Sequence, residues 1–210
     1  MAFPIVKKTY KAEDLEIDPY EVLRYLGYKK ELVTADDLSQ VEGFFSEART
    51  CMKPAACWGR FEVELLPENK ISFPYGEIYS ADLTKNLKGG KVPCHEIFLF
   101  AATIGLEYDR LVQRARISSM AKASFLNAIG AAAVENVCDQ LNEELRQLAA
   151  IEGKLLRPRY SAGYGDYSLE NQRGIFDLLT PAKYIGLTLK DNLIMVPEKS
   201  VTAVIGIGAE

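Results

Sequence analysis

The 210-residue chain contains one histidine, His95, and its four cysteines form no Cys-x-x-Cys pair. With a single histidine, Ser-His-Asp triads and histidine-rich metal centres lose most of their support. A zinc site built from Cys51, Cys57, Cys94 and His95 is an alternative, although the five residues between the first two cysteines are not a usual spacing for zinc ligands. We therefore expect reduced thiols and no metal site.

The sequence also lacks the segments that direct a chain to membranes or nucleic acids. No stretch of about 18 apolar residues occurs, and the first residues have no apolar signal-peptide region. The 29 acidic and 25 basic residues give a net charge of −4, without a basic run long enough to follow a phosphate backbone. Walker loops and dinucleotide-binding fingerprints are missing as well. We expect a cytoplasmic protein with neither a nucleic-acid nor a membrane partner.

Helix signals recur along the chain. Asp18 followed by Pro19 predicts the start of a short helix that ends at Gly27. Apolar residues spaced by three and four predict a second helix over residues 34–52 and a long one over residues 119–152. The long helix is interpreted as core scaffold, because its apolar residues all fall on a face that must be buried.

Strand signals are of two kinds. Residues 58–66 alternate apolar and charged side chains, as a strand with one wet face requires, and residues 71–73 predict its hairpin partner. Residues 97–104 are nearly all apolar, which predicts a central strand covered on both faces. Residues 193–196 and 200–206 predict a closing hairpin.

Helices interleaved with hairpins, rather than with regular crossovers, predict an α+β fold with a mainly antiparallel sheet and surrounding helices. At 210 residues and 48% hydrophobic content, the chain can bury one full core. We expect a single domain over residues 1–210. Residues 1–55 are predicted to form a helical N-terminal part, and residues 56–210 a core of sheet and helices.

The most informative segment covers residues 157–172 and reads Arg-Pro-Arg-Tyr-Ser-Ala-Gly-Tyr-Gly-Asp-Tyr-Ser-Leu-Glu-Asn-Gln. Gly163 and Gly165 permit positive φ and a close approach of the backbone to a ligand. Three tyrosines supply aromatic faces, and Arg159 offers a fork of donors suited to a carboxylate. These residue types suit a small zwitterionic ligand with an aromatic base. The alternative is a plain loop that leads to a helix N-cap at Ser168.

The segment resembles the S-adenosylmethionine-binding loop of the activation domain of cobalamin-dependent methionine synthase, in the version found as a separate short protein. The matching residues are Arg159, Ser161, Gly163, Tyr164, Gly165, Asp166, Leu169 and Gln172. Ala162 and Ser168 replace prolines of that pattern, which removes two φ restraints but no donor or acceptor needed for the ligand. The resemblance extends to residues 21–28, 102–105 and 197–201, and it implies a twisted sheet with helices around it and a concave ligand face.

The resemblance also implies a set of ligand-binding residues. They are Arg159, Ser161, Gly163, Tyr164, Gly165, Glu152 and Asp18. Arg159 would hold the methionine carboxylate, and Tyr164 would lie between the ligand and the corrin face. Glu152 is the candidate for an acidic residue upstream of the arginine, one residue off the family spacing, and Asp18 for an N-terminal aspartate. No catalytic residue and no metal ligand is assigned to this chain.

In the resembled family, oxidised cob(II)alamin is restored to methylcobalamin by reduction and methylation with S-adenosylmethionine. This chain is too short for homocysteine, folate and cobalamin modules, and it lacks an Asp-x-His-x-x-Gly cobalamin loop. The resemblance therefore implies an accessory subunit that serves a cobalamin-binding methionine synthase chain, with a reductant such as flavodoxin or ferredoxin. Two alternatives stay open: a regulator that senses S-adenosylmethionine, and a reactivator of a different corrinoid methyltransferase.

Overall fold

Groups of helices are interleaved with groups of strands in the computed structural model, which describes residues 4–209. The helices are α1 (Pro19–Tyr25), α2 (Ala35–Glu42), α3 (Phe45–Thr50), α4 (Ala81–Lys88), α5 (Leu106–Ser118), α6 (Met120–Ile151), α7 (Asn171–Leu179) and α8 (Pro181–Ile185). The strands are β1 (Val6–Thr9), β2 (Ala55–Glu62), β3 (Glu64–Leu65), β4 (Lys70–Phe73), β5 (Gly76–Tyr79), β6 (Glu96–Thr103), β7 (Leu155–Leu156), β8 (Thr188–Leu189), β9 (Met195–Val196) and β10 (Ser200–Gly208). The predicted α+β class is confirmed.

The central sheet is antiparallel and has the strand order β1-β2-β6-β10-β7. Strand β6 lies in the middle and pairs along its whole length with β2 and β10. Its residues from Ile97 onwards are buried, as the nearly continuous apolar run predicts. Two smaller sheets, β3-β4-β5 and β8-β9, lie outside it.

Each face of the central sheet carries its own hydrophobic core, because side chains alternate along a strand. Phe98 and Phe100 of β6 belong to a core shared with α1, α2, α3, α5 and α6. Leu99 and Ala101 belong to a second core shared with α4, α7 and the β3-β4-β5 sheet. No helix within residues 4–209 is long and apolar enough to cross a bilayer; the long α6 packs along the sheet instead.

Two of the predicted helix starts are confirmed, those of α1 and α6. The Asp18 carboxylate accepts a hydrogen bond of 2.8 Å from the Tyr20 N–H, and Pro19 is the first residue of α1. The hydroxyl of Ser119 likewise accepts from the Lys122 N–H at the start of α6. Such side-chain acceptors replace the partners that the first helical N–H groups lack.

The single helix predicted over residues 34–52 is wrong in one respect, because the segment forms two helices. Thr34 caps α2 in a capping box with Asp37, but the helix ends at Glu42. The Phe44 N–H then donates to the Val41 carbonyl, a tighter bond that ends α2 before α3 begins. Glycine at position 43, which has low helix propensity, favours the break.

The first strand predictions also need correction at their boundaries. The strand expected over residues 58–66 begins at Ala55 and is interrupted at Val63, whose N–H donates to the His95 carbonyl at 2.9 Å. The interruption lets β3 leave the central sheet and pair with β4, as the predicted hairpin requires. The N-terminal part, predicted as helical, also contributes β1 to the edge of the sheet beside its three helices.

The closing hairpin predicted from residues 193–196 and 200–206 does not form. Strand β9 pairs with β8, whereas β10 pairs with β6 and β7. Between them, the Glu198 N–H donates to the Asp109 carboxylate of α5 at 2.7 Å. The connection is thereby bound to α5, and the two apolar runs find other strand partners.

Candidate functional site

The segment singled out in the sequence starts from the edge of the central sheet. Tyr160 and Val204 of β10 exchange two backbone hydrogen bonds of 2.8 Å, so the chain continues the sheet beyond β7. Residues 161–167, here called the glycine-tyrosine loop, then turn away. The Gly163 N–H donates to the Tyr167 carbonyl at 2.7 Å and closes the loop on itself. The loop therefore begins and ends at fixed backbone positions.

The two glycines of the loop adopt the conformations that the sequence predicts. Gly163 has φ +95° and Gly165 has φ +52°, both in the region that other residues rarely adopt. A Cβ on Gly165 would lie 2.2 Å from a carboxylate oxygen of Asp82 and 2.6 Å from the Tyr160 hydroxyl. At position 165, glycine is required both by conformation and by space.

Asp166 anchors the loop to the start of α4. Its carboxylate accepts hydrogen bonds from the Ser80 hydroxyl at 2.6 Å and from the Ala81 N–H at 2.7 Å. The Ser80 hydroxyl in turn accepts from the Leu83 N–H. The hydroxyl of Ser80, followed by the amides of Ala81 and Asp82, lowers the pKa of Asp166. This residue of the resembled pattern thus serves the architecture of the loop.

The tyrosines of the segment occupy different environments. Tyr164 is 68% exposed, whereas Tyr167 is fully buried beneath the loop in the second core. Tyr160 is half-buried, and its hydroxyl donates to the Tyr164 carbonyl at 3.4 Å. The ring available for contact with a ligand or a partner is that of Tyr164.

The glycine-tyrosine loop does not lead directly into a helix cap. Helix α7 begins at Asn171, and Ser168 opens the turn before it, where its hydroxyl accepts from the Glu170 N–H. The helix N-cap predicted at Ser168 is therefore wrong. The residue preceding α7 caps it without a side-chain hydrogen bond.

Arg159 lies between the sheet edge and α6, where it contacts two carboxylates. Its guanidinium nitrogens lie 2.5 Å from a Glu135 oxygen and 2.8 Å from an Asp139 oxygen. The two acids are four residues apart and so occupy one face of the helix. The side chain of Arg159 keeps 28% of its surface exposed. Sequence reasoning missed both acids, although an acidic pair at this spacing in a long helix was a visible signal.

Glu152 lies in a different part of the molecule. It follows α6, about 20 Å further along the helix than Asp139 at the rise of an α-helix. There its carboxylate oxygens lie 2.6 Å and 2.8 Å from Arg60 nitrogens, and Lys154 is 3.0 Å away. Hydrogen bonds from Arg60, and next from Lys154, lower the pKa of Glu152 to about 2. The structure thus separates Glu152 from the loop.

The remaining predicted site residues are placed as follows. Ser161 is half-buried at the start of the loop, and its carbonyl accepts from the Tyr164 N–H at 3.3 Å. Asp18 is exposed at the start of α1, where its carboxylate is the helix cap already described. The structure brings Arg159, Ser161 and the residues up to Gly165 together on one continuous stretch of chain.

The four cysteines are free thiols, two of them in or against each of the two hydrophobic cores. Cys57 belongs to β2, and Cys138 is buried within α6. Cys94 is buried beside the Arg157 side chain, while Cys51 is only half-buried. Within residues 4–209 no group of three or more His, Cys, Asp or Glu side chains could hold a metal ion.

No known protein family and no curated protein matches the sequence of this chain. Its structure, however, is similar to a crystal structure of the MetH reactivation domain bound to AdoHcy, with a TM-score of 0.71. The match covers 97% of this chain and 78% of that chain, at 13% sequence identity. The chain has the reactivation-domain fold. The fold that the sequence resemblance implied is thereby confirmed.

Within the reactivation-domain fold, the candidate site of this chain joins the loop to α6. Arg159 offers a cation, Glu135 and Asp139 offer anions, and Tyr164 offers an exposed aromatic face. The loop adds backbone groups that its glycines leave uncovered. Arg159 can pair with a carboxylate and Glu135 or Asp139 with an ammonium group, the two charged groups of a free amino-acid end. Tyr164, five residues further along the chain, offers a face on which an aromatic base can stack.

Proposed function

We propose that this protein binds S-adenosylmethionine and supports the reductive methylation of cob(II)alamin held by a methionine synthase on another chain. The observation that carries the proposal is a reactivation-domain fold over 97% of the chain, with Arg159 and the glycine-tyrosine loop grouped on it. The solved protein of that fold is bound to AdoHcy, which is S-adenosylmethionine without its methyl group. The same ligand class suits the charges and rings of this site.

The proposed binding mode uses the contacts of Arg159. A guanidinium has five N–H donors, and the contacts to Glu135 and Asp139 use two of them. The ligand carboxylate would accept from the remaining donors, while its ammonium group would pair with a carboxylate of α6. Backbone groups of the loop would hydrogen-bond the ligand, and the exposed ring of Tyr164 would cover it.

The proposed chemistry requires positioning from this chain and reactivity from its partners. One electron from a reductant such as flavodoxin or ferredoxin, together with the methyl group of S-adenosylmethionine, would convert cob(II)alamin to methylcobalamin and leave S-adenosylhomocysteine. Tyr164 would lie between the ligand and the corrin face. We further propose a cytoplasmic location, where free thiols such as those of this chain stay reduced.

Calorimetric titration with S-adenosylmethionine tests the ligand. We expect Arg159→Ala to bind about ten- to a hundredfold more weakly, because a charge-assisted carboxylate contact is lost. Arg173→Ala is the matched control, since Arg173 is exposed on α7 and pairs with Glu170. If a folded Arg159→Ala variant binds as tightly as the control, the role given to Arg159 is wrong.

The second experiment adds the corrinoid partner and a reductant and follows the visible spectrum. Methylcobalamin formation on a cob(II)alamin methionine synthase, dependent on this protein and on S-adenosylmethionine, would support the proposal. If the protein binds S-adenosylmethionine but no methylcobalamin forms, the alternative of a regulator that senses S-adenosylmethionine takes the place of this proposal. If methylcobalamin forms only on another corrinoid methyltransferase, that enzyme is the partner instead of methionine synthase.

A further inference from the structure

Arg157 lies at the edge of the central sheet, in a cleft that glycines keep open. Its N–H donates to the Gly206 carbonyl of β10 at 2.8 Å. Its side chain then crosses β10 towards the turn that follows α4. A Cβ on Gly206 would lie 3.0 Å from the Arg157 Cγ, and a Cβ on Gly90 would overlap the guanidinium. Only glycine leaves room for the guanidinium at position 90.

The charge of Arg157 has no counterion in the part of the chain that the structure describes. One guanidinium nitrogen donates to the Val92 carbonyl at 3.3 Å, and the Nε is buried without a hydrogen-bond partner. Among residues 4–209 no carboxylate lies within ion-pair distance of Arg157, whereas Arg60 and Arg159 each pair with two. A partly buried cation without an anion is costly, so this position favours an anionic ligand.

The neighbouring thiol of Cys94 does not supply the missing negative charge. Burial raises the pKa of Cys94 above its ordinary value of 9.0, and the hydrogen bond and charge of Arg157 oppose this shift without reversing it. The thiol therefore stays protonated and neutral at neutral pH. The cleft keeps the full positive charge of the guanidinium.

Three lysines flank the same turn in the sequence. Lys85 and Lys88 lie in the last turn of α4, and Lys91 follows the two glycines. All three are exposed, none pairs with a carboxylate within residues 4–209, and residues 83–95 contain no acidic residue. Lys85 and Lys88 also complement the dipole at the end of α4, but Lys91 and Arg157 lie outside that helix. A chain with a net charge of −4 thus carries a local group of unpaired cations.

We propose that Arg157, together with Lys88 and Lys91, forms a second ligand site that binds a phosphate group. The guanidinium fork matches two phosphate oxygens. A phosphate carries up to two negative charges and can balance several cations, whereas a carboxylate carries only one. The buried Oδ1 of Asn86, whose amide nitrogen donates to the Pro158 carbonyl, also lacks a partner and suits the O–H of a protonated phosphate.

The proposed phosphate site is separate from the candidate site and independent of the proposed function. Arg157 lies against β10 and the turn after α4, whereas Arg159, two residues further on, contacts α6. S-adenosylmethionine contains no phosphate, so the two sites take different ligands. The phosphate is either free inorganic phosphate or the phosphate of a nucleotide.

Calorimetric titration with inorganic phosphate and with ATP, at constant ionic strength set by chloride, tests the site. We expect Arg157→Gln to bind about ten- to a hundredfold more weakly than the parent, because a charge-assisted contact is lost. Lys88→Gln and Lys91→Gln should each weaken binding about two- to fivefold, since exposed charges contribute less. Lys190→Gln is the matched control, because it removes an exposed lysine from the turn between β8 and β9.

Circular dichroism shows whether Arg157→Gln is folded, and the double variant Lys88→Gln/Lys91→Gln, changed only at exposed positions, keeps the test decisive if it is not. Tighter binding of ATP than of inorganic phosphate would identify a nucleotide as the ligand, and equal binding would identify free phosphate. If the parent binds neither, or if the lysine double variant binds as tightly as the parent, the phosphate site is excluded. An equal loss in Lys190→Gln would exclude it as well. The lysine double variant should bind S-adenosylmethionine as the parent does, so failure of the phosphate site leaves the proposed function intact.

Discussion

The hydroxyl groups of Tyr75 and Tyr167 lie 3.2 Å apart beneath the glycine-tyrosine loop. Tyr75 belongs to the turn between β4 and β5, and Tyr167 is the last residue of the loop. Burial raises the pKa of Tyr75 to about 12, so its hydroxyl stays protonated at neutral pH. One hydrogen bond in the second core thus connects the small sheet to the base of the candidate site.

The losses of stability on removing the two hydroxyls should therefore be less than additive. Tyr75→Phe or Tyr167→Phe leaves a buried hydroxyl without its partner, which costs about 1–3 kcal/mol of unfolding free energy. The double variant should be more stable than the sum of the single effects predicts. Urea denaturation of the four proteins measures the coupling; additive effects would show that the two hydroxyls act independently.

Gly165→Ala should lower the stability of the protein by more than the cost of placing alanine in a left-handed backbone conformation. Gly153→Ala is the control, because Gly153 also has positive φ but nothing lies within 4 Å of its Cβ position. A left-handed conformation alone costs about 1–2 kcal/mol. Gly165→Ala must also displace Asp82 and the Tyr160 hydroxyl, so we expect roughly 1 kcal/mol more loss of stability and weaker ligand binding. Equal losses in thermal unfolding would contradict the crowding at position 165.

Low pH should lower the stability of the folded protein by protonating Glu152, which pairs with Arg60 and Lys154. Hydrogen bonds from Arg60, then Lys154, lower the pKa of Glu152 from its ordinary value of 4.5 to about 2. A carboxyl whose pKa is lower in the folded state stabilises that state above the unfolded pKa. This stabilisation is lost as the pH falls from about 4.5 towards 2. In the Glu152→Gln variant, the denaturation midpoint should fall less steeply with decreasing pH across this range than it does in the parent protein.

Tyr164 should matter more for the conversion of cob(II)alamin to methylcobalamin than for the stability of the fold, because its side chain is exposed. Tyr164→Phe keeps the aromatic face and should retain ligand binding and much of the methylcobalamin formation. Tyr164→Ala removes about 150 Å² or more of contact area, so conversion should drop far more than ligand affinity. Tyr79→Ala, which truncates another tyrosine that is 58% exposed, is the control. Equal conversion by the two alanine variants would exclude a corrin contact.

Local chemistry made the helix starts predictable. Asp18 and Ser119 each cap a helix because a side-chain oxygen is placed where a free N–H needs an acceptor. The central strand β6 was predictable for a similar reason, since only a strand covered on both faces can be nearly all apolar. The pairing of β9 and β10 was not, because strand patterns do not specify their distant partners.

The candidate site was predictable only in part. The loop residues and Arg159 are adjacent in sequence, so their grouping followed from the segment itself. Glu135 and Asp139 reach Arg159 through the packing of α6 against the sheet edge, a contact between distant parts of the chain. Glu152 was selected by its spacing from Arg159, but the length of α6 carries it to the other end of the helix. Asp166 matches the resembled sequence pattern, but the pattern alone does not show whether a residue binds the ligand or supports the loop.

Because the glycine-tyrosine loop closes on itself, it is a structural unit that is fixed at both ends. Its two ends are held by the Tyr160 pairing with β10 and by the Asp166 contact with α4, while Gly163 bonds across to Tyr167. At its tip the exposed Tyr164 can vary without disturbing either hydrophobic core, whereas Gly163 and Gly165 are constrained by their positive φ. Insertions or deletions would shift one of the anchors, so we expect variation in this loop to occur by substitution, at a fixed loop length.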